Sequence, residues 1–311
     1  MSKDKSIQIH ESKSTHVNSL TNQYSEANND DHLIKLWLHG KSDNTCKSYK
    51  TDISQFRKFI SCSLRDVTLE TLQEYDLYLE SHFAPSTHKR KLATVKSLYS
   101  FGHRIGYFTF NIGGGIGTPK LRNTLSEKIL SEAEIQRIFA LENNLRNRSL
   151  LRLLYSSGAR VSEVTSLTWS RLQERPRQSS GQVSLFGKGD KTRVVLLSTT
   201  SWNELQKLRS EELKADFGQP DDPVFRSQEG DALSRQQIWR IVKRAAKQAG
   251  INVQKRSVSP HWLRHAHASH ALDRGAPVHL VKETLGHESL QTTSQYTKAR
   301  PDDSSSLYLS S

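Results

Sequence analysis

The sequence predicts a mainly helical protein with two domains, the second of which carries a small antiparallel β-sheet. Apolar residues recur at helical spacing through most of the chain, whereas a strand–turn–strand pattern occurs between residues 182 and 197. A glycine-rich break near residues 112–124 separates two groups of helical segments. With 311 residues, the chain is long enough for each group to bury a core of its own.

The first group predicts a four-helix domain over residues 29–111, preceded by a polar tail, residues 1–28, that we expect to be disordered. Its first helix begins near His32 and ends at Gly40, and Asn44 is placed to cap the second. Thr68 is placed to cap a third helix from Leu69 to Ser81. A fourth helix begins near Ser86 and carries on one face Leu92, Val95, Leu98 and Tyr99.

The fourth helix also concentrates basic residues, which predict a face that binds the phosphates of DNA. A solvated charged face is the alternative that remains open. The residues concerned are Lys89, Arg90, Lys91 and Lys96, with His88 beside them.

The break from Asn111 to Lys120 contains glycines at a spacing that also occurs in dinucleotide-binding loops. No strong strand precedes these glycines, and Pro119 follows them in place of a helix. We therefore interpret residues 112–124 as an interdomain linker.

The second group predicts a mostly helical domain over residues 125–311. Ser131 and Glu134 have the spacing of a capping box at a helix start. The segments 182–186 and 192–197 flank a Gly-Lys-Gly-Asp turn and predict a β-hairpin. Further helices are expected over residues 148–155, 161–169, 201–215, 234–249, 260–274 and 278–285.

The net charge of +13 and a pI of about 9.7 indicate an anionic partner, either nucleic acid or an anionic membrane surface. No apolar run approaches the roughly 18–20 residues of a membrane-spanning helix, and the N-terminus lacks the apolar region of a signal peptide. These observations favour nucleic acid, although a merely basic soluble protein stays possible. Cys46 and Cys62 have no metal or redox spacing, so we interpret them as small apolar residues in a reducing cytoplasm.

The segment Ser259-Pro260-His261-Trp262-Leu263-Arg264-His265 is the first candidate site. Serine followed by proline is typical of a helix start, where His261 and Arg264 would share one face near the positive end of the helix dipole. Such a face suits phosphate, which arginine holds through two hydrogen bonds. His261 and His265 also have a zinc-like spacing, but the glutamate of a zincin motif and an obvious third ligand are missing. A purely structural helix start is the other alternative.

Two further segments could contribute cations to the same phosphate. Arg160 follows the turn at Gly158 and enters a helix, and Lys188 lies in the hairpin turn. The turn is similar to the end of a phosphate-binding P-loop, but the residue after Lys188 is glycine in place of serine or threonine, so ATP binding is not expected. Towards the C-terminus, His287 ends a helix and Tyr296 follows.

In chain order these residues resemble the tyrosine recombinase, or phage integrase, family, over about residues 29–298. The motifs that carry the resemblance are Arg160 in GARVSE, Lys188 in the GKG turn, His261 and Arg264 in HWLRH, His287 in LGH and Tyr296 in SQYT. The resemblance implies an N-terminal SAM-like core-binding domain and a catalytic domain that cuts and rejoins DNA through a 3′-phosphotyrosyl bond.

Phosphodiester cleavage needs a nucleophile, cationic groups that neutralise the negative charge of the pentavalent phosphate, and an acid that protonates the leaving 5′-oxygen. A free tyrosine has a pKa near 10, so fixed cations would favour its attack. By resemblance, Tyr296 is the nucleophile, Arg160 and Arg264 bind the non-bridging oxygens with help from His287, Lys188 is the acid, and His261 orients or deprotonates the tyrosine. The bond energy stays in the phosphotyrosine, so we expect no ATP, metal or other cofactor.

The two-domain architecture most resembles the XerC/XerD type. That resemblance implies duplex DNA as substrate, a homo- or heterotetramer on DNA, exchange through a Holliday junction and resolution of chromosome or plasmid dimers, with a second recombinase or a DNA translocase as possible partners. A mobile-element integrase, a type IB topoisomerase and a non-catalytic DNA-binding protein are the alternatives. Family members usually follow the nucleophile with a clear helix that docks on a neighbouring subunit; here Pro301 is placed to start only a short helix, and Leu307 to Leu309 offer a small patch for such docking.

Overall fold

The computed structural model describes residues 25–122, 124–175, 178, 180–187, 191–253, 256, 258–287, 289, 293 and 296. The chain divides into two compact units, Met1–Arg122 and Asn123–Ser311. Most of the polar segment predicted as a tail, residues 1–24, lies outside the described residues, whereas Ala27 is buried in the first unit.

The first unit contains four α-helices, as the sequence predicts: α1 Asp30–Leu38, α2 Asp43–Ile60, α3 Leu69–His82 and α4 Pro85–Arg104. Thr68 caps α3 through its side chain, as expected, but α2 follows Ser42, so Asn44 lies inside the helix and does not cap it. The apolar row of α4 is fully buried, and the Tyr99 ring meets Phe56 edge-on. Burial of this row against the other helices is what holds α4 in place.

The basic residues of α4 do not form the single open face that the sequence predicts. Lys91 is 3% exposed and lies 3.5 Å from the carboxylate of Asp52, which is itself 1% exposed. Arg90 also binds Asp52, and the Lys96 ammonium donates to the Ile116 carbonyl. The prediction is therefore wrong for Lys91, because a buried carboxylate needs a cation beside it and α4 supplies that cation from the same stretch.

Part of the glycine-rich break packs into the core of the first unit and does not act only as a linker. Ile112–Gly115 forms a 3-10 turn, and a Cβ added to Gly113 would lie 3.0 Å from the Lys96 Cα of α4. Ile116 is buried in the same core. Glycine at position 113 thus permits the close approach of two backbone segments, and the division between units falls later, after Arg122.

The second unit is mostly helical with one antiparallel sheet. Its helices are α5 Glu132–Leu141, α6 Leu145–Ser157, α7 Val161–Thr165, α8 Thr199–Leu213, α9 Arg235–Gln248, α10 Pro260–Asp273 and α11 Val278–Leu285. Its strands, in sheet order, are β1 Leu172–Arg175, β2 Ser180–Phe186 and β3 Thr192–Leu197. The capping box of Ser131 and Glu134 is confirmed. Strand β1 was not predicted, because its sequence Leu-Gln-Glu-Arg has no alternating apolar pattern.

The sheet packs on α8 through a glycine contact. A Cβ at Gly181 in β2 would lie 2.0 Å from the Trp202 ring, so only glycine permits this approach. A separate small cluster joins α10 and α11 through Ala268, Leu272, Val281, Leu285 and Tyr296. In the part of the chain described, no helix is both long and apolar enough to cross a membrane.

Candidate active site

Helix α10 presents the central residues of the site on one face. It starts with Pro260 at its first turn, and His261, Arg264 and His265 follow at spacings of three and four residues. Ser259 occupies the N-cap position with extended backbone, although its side chain makes no capping hydrogen bond. His261 is exposed, Arg264 is 5% exposed and His265 is half-buried, so the face runs from the surface into the core.

The Arg264 guanidinium is held by the C-terminal ends of two helices. It donates to the carbonyl of Gly158, which ends α6, and to the carbonyl of Leu285 at the end of α11 at 2.7 Å. Both helices end in left-handed glycines, Gly158 with φ 58° and Gly286 with φ 63°. Because the last carbonyls of a helix lack partners within it and carry partial negative charge, they fix a buried guanidinium without neutralising it.

Arg160 lies at the start of α7, as predicted, and is held in a similar way. Its guanidinium donates to the Gly286 carbonyl and to the Glu163 carboxylate, both at 3.0 Å. Arg193 of β3 binds both oxygens of Glu163 at 2.7 Å and donates to the Thr284 carbonyl at 2.7 Å. Glu163 is 2% exposed, so one buried carboxylate orients two arginines from separate elements.

Among the described residues, the pocket carries excess positive charge, because three guanidiniums, those of Arg160, Arg193 and Arg264, surround the carboxylate of Glu163. Burial and the other two arginines lower the pKa of Arg264 to about 10, which still leaves it charged at neutral pH. For Glu163, burial raises the pKa, but hydrogen bonds from Arg193 and from the Arg160 backbone outweigh burial and leave it below its ordinary value. Such a pocket is suited to an anion.

The imidazoles around the pocket are neutral in the absence of an anion. Burial together with Arg264 and Arg160 lowers the pKa of His287 to about 4. His261 keeps part of its surface exposed, but partial desolvation by the surrounding protein and the same two arginines also lower its pKa. The Nδ1 atom of His287 lies 2.9 Å from the hydroxyl of Thr293, which is fully buried. This contact orients the His287 ring and leaves Nε2 as its other polar atom.

Tyr296 lies in the small cluster between α10 and α11 and is 4% exposed. Its hydroxyl is 2.7 Å from Nδ1 of His265, and its ring is parallel to that of His287 with centroids 6.4 Å apart. Burial raises the pKa of Tyr296, while Arg264 lowers it. The phenol is therefore protonated at neutral pH and lies near the cationic pocket.

Lys188 lies outside the described residues, but the hairpin that carries it can be located up to its turn. Gly187 precedes Lys188, and a Cβ added there would be 3.5 Å from Oε1 of Glu163 and 3.8 Å from Nη1 of Arg160. The Gly187 N–H donates to the Lys191 carbonyl at 2.8 Å, and Arg193 ties β3 to Glu163. The hairpin thus begins its turn beside Arg160.

The structure brings together five of the six sequence-predicted residues, namely Arg160, His261, Arg264, His287 and Tyr296. It adds Glu163 and Arg193, which the sequence analysis did not single out, and His265, which that analysis considered only for its zinc-like spacing with His261. Glu163 makes only half of a capping box: its carboxylate accepts from the Arg160 backbone N–H at 2.7 Å, but the arginine side chain has no acceptor to return the bond, so the sequence carries no capping-box signal here. Within the described residues, no group of three or more histidine, cysteine, aspartate or glutamate side chains could hold a metal ion.

A second basic surface lies on α9 and was also missed. Its buried side is Ile238, Ile241, Val242, Ala245 and Ala246. Its exposed side carries Gln236 and Gln248 together with Arg235, Trp239, Arg240, Lys243, Arg244 and Lys247. The signal was present in the sequence, because nearly every position between the apolar ones is basic. We refer to these eight exposed residues as the α9 surface.

Comparison with known proteins gives a consistent assignment. The phage integrase family model matches residues 128–302, and the model of the phage integrase N-terminal SAM-like domain matches residues 30–103. The tyrosine recombinase XerD of Oceanobacillus iheyensis is 34% identical over 88% of this chain and 94% of its own. The tyrosine recombinase XerD of Vibrio cholerae is 35% identical over 85% of this chain and 89% of its own.

Solved structures agree on the fold. The XerH site-specific recombinase bound to its difH substrate has a TM-score of 0.66 at 22% identity, covering 89% of this chain and 82% of its own. A lambda integrase dimer bound to a core site has a TM-score of 0.71 at 18% identity, covering 88% of this chain and 95% of its own. The chain belongs to the phage integrase family and is a site-specific tyrosine recombinase of the XerC/XerD type.

Proposed function

We propose that this recombinase cleaves duplex DNA by attack of Tyr296 on a phosphodiester, and rejoins it after exchange through a Holliday junction. The observation that supports this most directly is the convergence of Arg160, Arg264 and His287 around a cationic pocket with Tyr296 packed beside it. Each arginine is anchored by backbone carbonyls, so its orientation is set before DNA arrives.

In the proposed step, Arg160 and Arg264 bind the non-bridging oxygens of the scissile phosphate, and His287 donates through Nε2. The phenol oxygen of Tyr296 attacks phosphorus, its proton leaves, and the bond to the 5′-oxygen breaks. His261 helps to orient Tyr296 or accepts its phenol proton, and Lys188 protonates the leaving 5′-oxygen. Burial first, and then the charges of Arg264 and Arg160, lower the pKa values of His261 and His287, and a bound phosphate anion offsets the effect of the arginines.

The product is a 3′-phosphotyrosyl bond and a free 5′-hydroxyl. Because one phosphodiester replaces another, attack by a 5′-hydroxyl reverses the step without ATP, and the cations of the pocket supply the charge stabilisation that a metal supplies elsewhere. We therefore propose that the reaction needs no cofactor.

We further propose that the α9 surface binds DNA phosphates, with Lys89 and Arg90 of α4 as additional phosphate-binding residues. Five of the eight exposed side chains of α9 are basic, and the Lys243 ammonium lies over the Trp239 ring, 4.8 Å from its centroid. Arg90 is exposed although it binds Asp52, whereas Lys91 is buried beside Asp52 and Lys96 is half-buried and donates to the Ile116 carbonyl, so these two lysines are not proposed to bind DNA.

For the biological role, we infer assembly as a tetramer on DNA and resolution of chromosome or plasmid dimers in the cytoplasm, with a second recombinase or a DNA translocase as partner. The support is similarity: the relatives are named XerD, and a lambda integrase tetramer bound to a Holliday junction has a TM-score of 0.70 at 17% identity. A mobile-element integrase of the same architecture is the alternative.

The test is a suicide-substrate assay with nicked duplexes that carry a site selected by the purified protein from its own genome. Wild-type protein is expected to give a denaturation-stable protein–DNA band, and Tyr296→Phe is expected to bind the same duplex and give none. A band from the variant would assign the nucleophile to another residue. A missing wild-type band on duplexes that the protein binds would refute cleavage by this chain alone.

A further inference from the structure

His265 lies on the face of α10 that also carries the phosphate-binding residues and the packing surface for the nucleophile. His261 and Arg264 are followed at helical spacing by His265, Ala268 and Leu272. Ala268 and Leu272 are fully buried and belong to the cluster that contains Tyr296. One rigid helix therefore connects the proposed phosphate site to the tyrosine.

Among the described residues, the Tyr296 hydroxyl makes a polar contact with His265. The Tyr296 hydroxyl is 2.7 Å from Nδ1 of His265, and the two rings are tilted by 45° with centroids 5.7 Å apart. His261, the residue assigned by family resemblance to orient the tyrosine, lies one turn earlier, at the exposed end of the face. The apolar cluster restrains the ring of Tyr296 but cannot fix the direction of its hydroxyl, whereas a hydrogen bond does.

We propose that His265 is a positioning residue for the nucleophile, in addition to the role proposed for His261, and that it holds the Tyr296 hydroxyl at one point relative to Arg264 through the rigid frame of α10. This inference rests on the proposed role of Tyr296 as nucleophile.

A positioning role, and not that of a proton acceptor, follows from the surroundings of His265. Burial and the nearby His261, Lys128 and Arg264 lower the pKa of His265 to about 4, and burial raises that of Tyr296. With such values the imidazole is a far weaker base than the phenolate, so the proton stays on the phenol while the hydrogen bond persists. Placement of the Tyr296 hydroxyl alone can change the reaction rate, since a misplacement of about 1 Å can slow a reaction on the order of a hundredfold.

The same helix offers a matched control. His270 is 7% exposed, and its Nδ1 lies 3.0 Å from the hydroxyl of Tyr155. This second histidine–tyrosine pair lies away from the arginines of the site. Loss of either pair removes one histidine–tyrosine hydrogen bond from α10, but only loss of His265 releases the nucleophile.

The experiment measures single-turnover cleavage of the suicide substrate, duplex affinity and thermal stability for His265→Leu, His265→Asn and His270→Leu. The rate of His265→Leu is expected to fall by about tenfold to a hundredfold. Its duplex affinity should stay within about twofold, because phosphate-binding residues elsewhere set binding. Asparagine places a polar atom as many bonds from Cβ as Nδ1, so His265→Asn should recover to within about threefold of the wild-type rate.

Each outcome separates this inference from the proposed function. Wild-type cleavage by His265→Leu, with no adduct from Tyr296→Phe, would overturn the positioning role and leave the nucleophile assignment intact. Equal losses of rate in His265→Leu and His265→Asn, or an equal loss of cleavage in His270→Leu at matched stability, would also overturn it. An adduct formed by Tyr296→Phe would instead overturn the proposed function.

Discussion

Replacement of Glu163 by glutamine tests how the cationic pocket is held together. Glu163 is 2% exposed and binds Arg160 and Arg193 together, so Glu163→Gln leaves two guanidiniums without their counter-charge beside a third, Arg264. Removal of one partner from a buried ion pair costs about 3–5 kcal/mol. The amide retains one acceptor oxygen and Arg160 is partly exposed, so we expect about 3 kcal/mol.

For a domain of this size, about 3 kcal/mol corresponds to a fall in Tm of about 6–12 °C. Calorimetry and urea unfolding of the wild type and Glu163→Gln at pH 7 would measure it. The matched control is Glu174→Gln, which makes the same change on an exposed position of β1 and should alter stability by less than about 0.5 kcal/mol.

The pH dependence has a defined sign. The pKa of Glu163 is below its ordinary value of 4.5 in the folded protein, because its arginine and backbone hydrogen bonds outweigh the effect of burial. Its contribution is therefore fully present above pH 4.5 and is lost as the pH falls through the folded-state value. The difference between wild type and Glu163→Gln should be constant from pH 8 to about 5 and shrink below it. A loss of stability no larger than that of Glu174→Gln, or a gap that shrinks already between about pH 8 and 5, would refute the reasoning.

Three further outcomes follow from the structure. Lys188→Ala should slow single-turnover cleavage strongly on an ordinary substrate. It should slow cleavage much less when the leaving 5′-oxygen is replaced by sulfur, because a thiolate leaves without protonation. Equal defects on both substrates would reject Lys188 as the acid. Gly181→Ala should lower stability by about 1–3 kcal/mol, since its Cβ would meet the Trp202 ring at 2.0 Å, and unchanged urea unfolding would contradict the packing described. Replacing both Arg240 and Lys243 by glutamine should weaken duplex binding. The slope of log affinity against log salt concentration should become shallower by about 0.9 for each phosphate that the protein no longer neutralises. An unchanged slope would show that these two residues do not bind DNA phosphates.

Local signals in the sequence predicted most of the helical framework. The Thr68 cap, the capping box at Ser131 and the span Val278–Leu285 all agree with the structure. These features depend on residues three or four apart, whose proximity is set by helix geometry alone. The placement of Arg160 at a helix start was predictable for the same reason, because Gly158 and the following residues determine it locally.

Tertiary structure decided which charged residues face solvent. Arg90 and Lys91 are neighbours in sequence and both bind Asp52, but Arg90 stays exposed whereas Lys91 is buried beside this carboxylate, thirty-nine positions earlier in the chain. No local pattern encodes that pairing, because it depends on how α4 packs against α2. Strand β1 is a similar case, since its four residues form a strand through pairing with β2 and not through their own composition.

For the active site, too, the sequence predicted some features and the tertiary structure determined others. The order and spacing of Arg160, Arg264, His287 and Tyr296 were sufficient to identify the reaction class from the sequence by family resemblance. The hydrogen bond between Tyr296 and His265, thirty-one positions apart, came from the fold alone. Spacing along a helix determines which residues share a face, but the packing of α10 against α11 determines which of them meets the nucleophile.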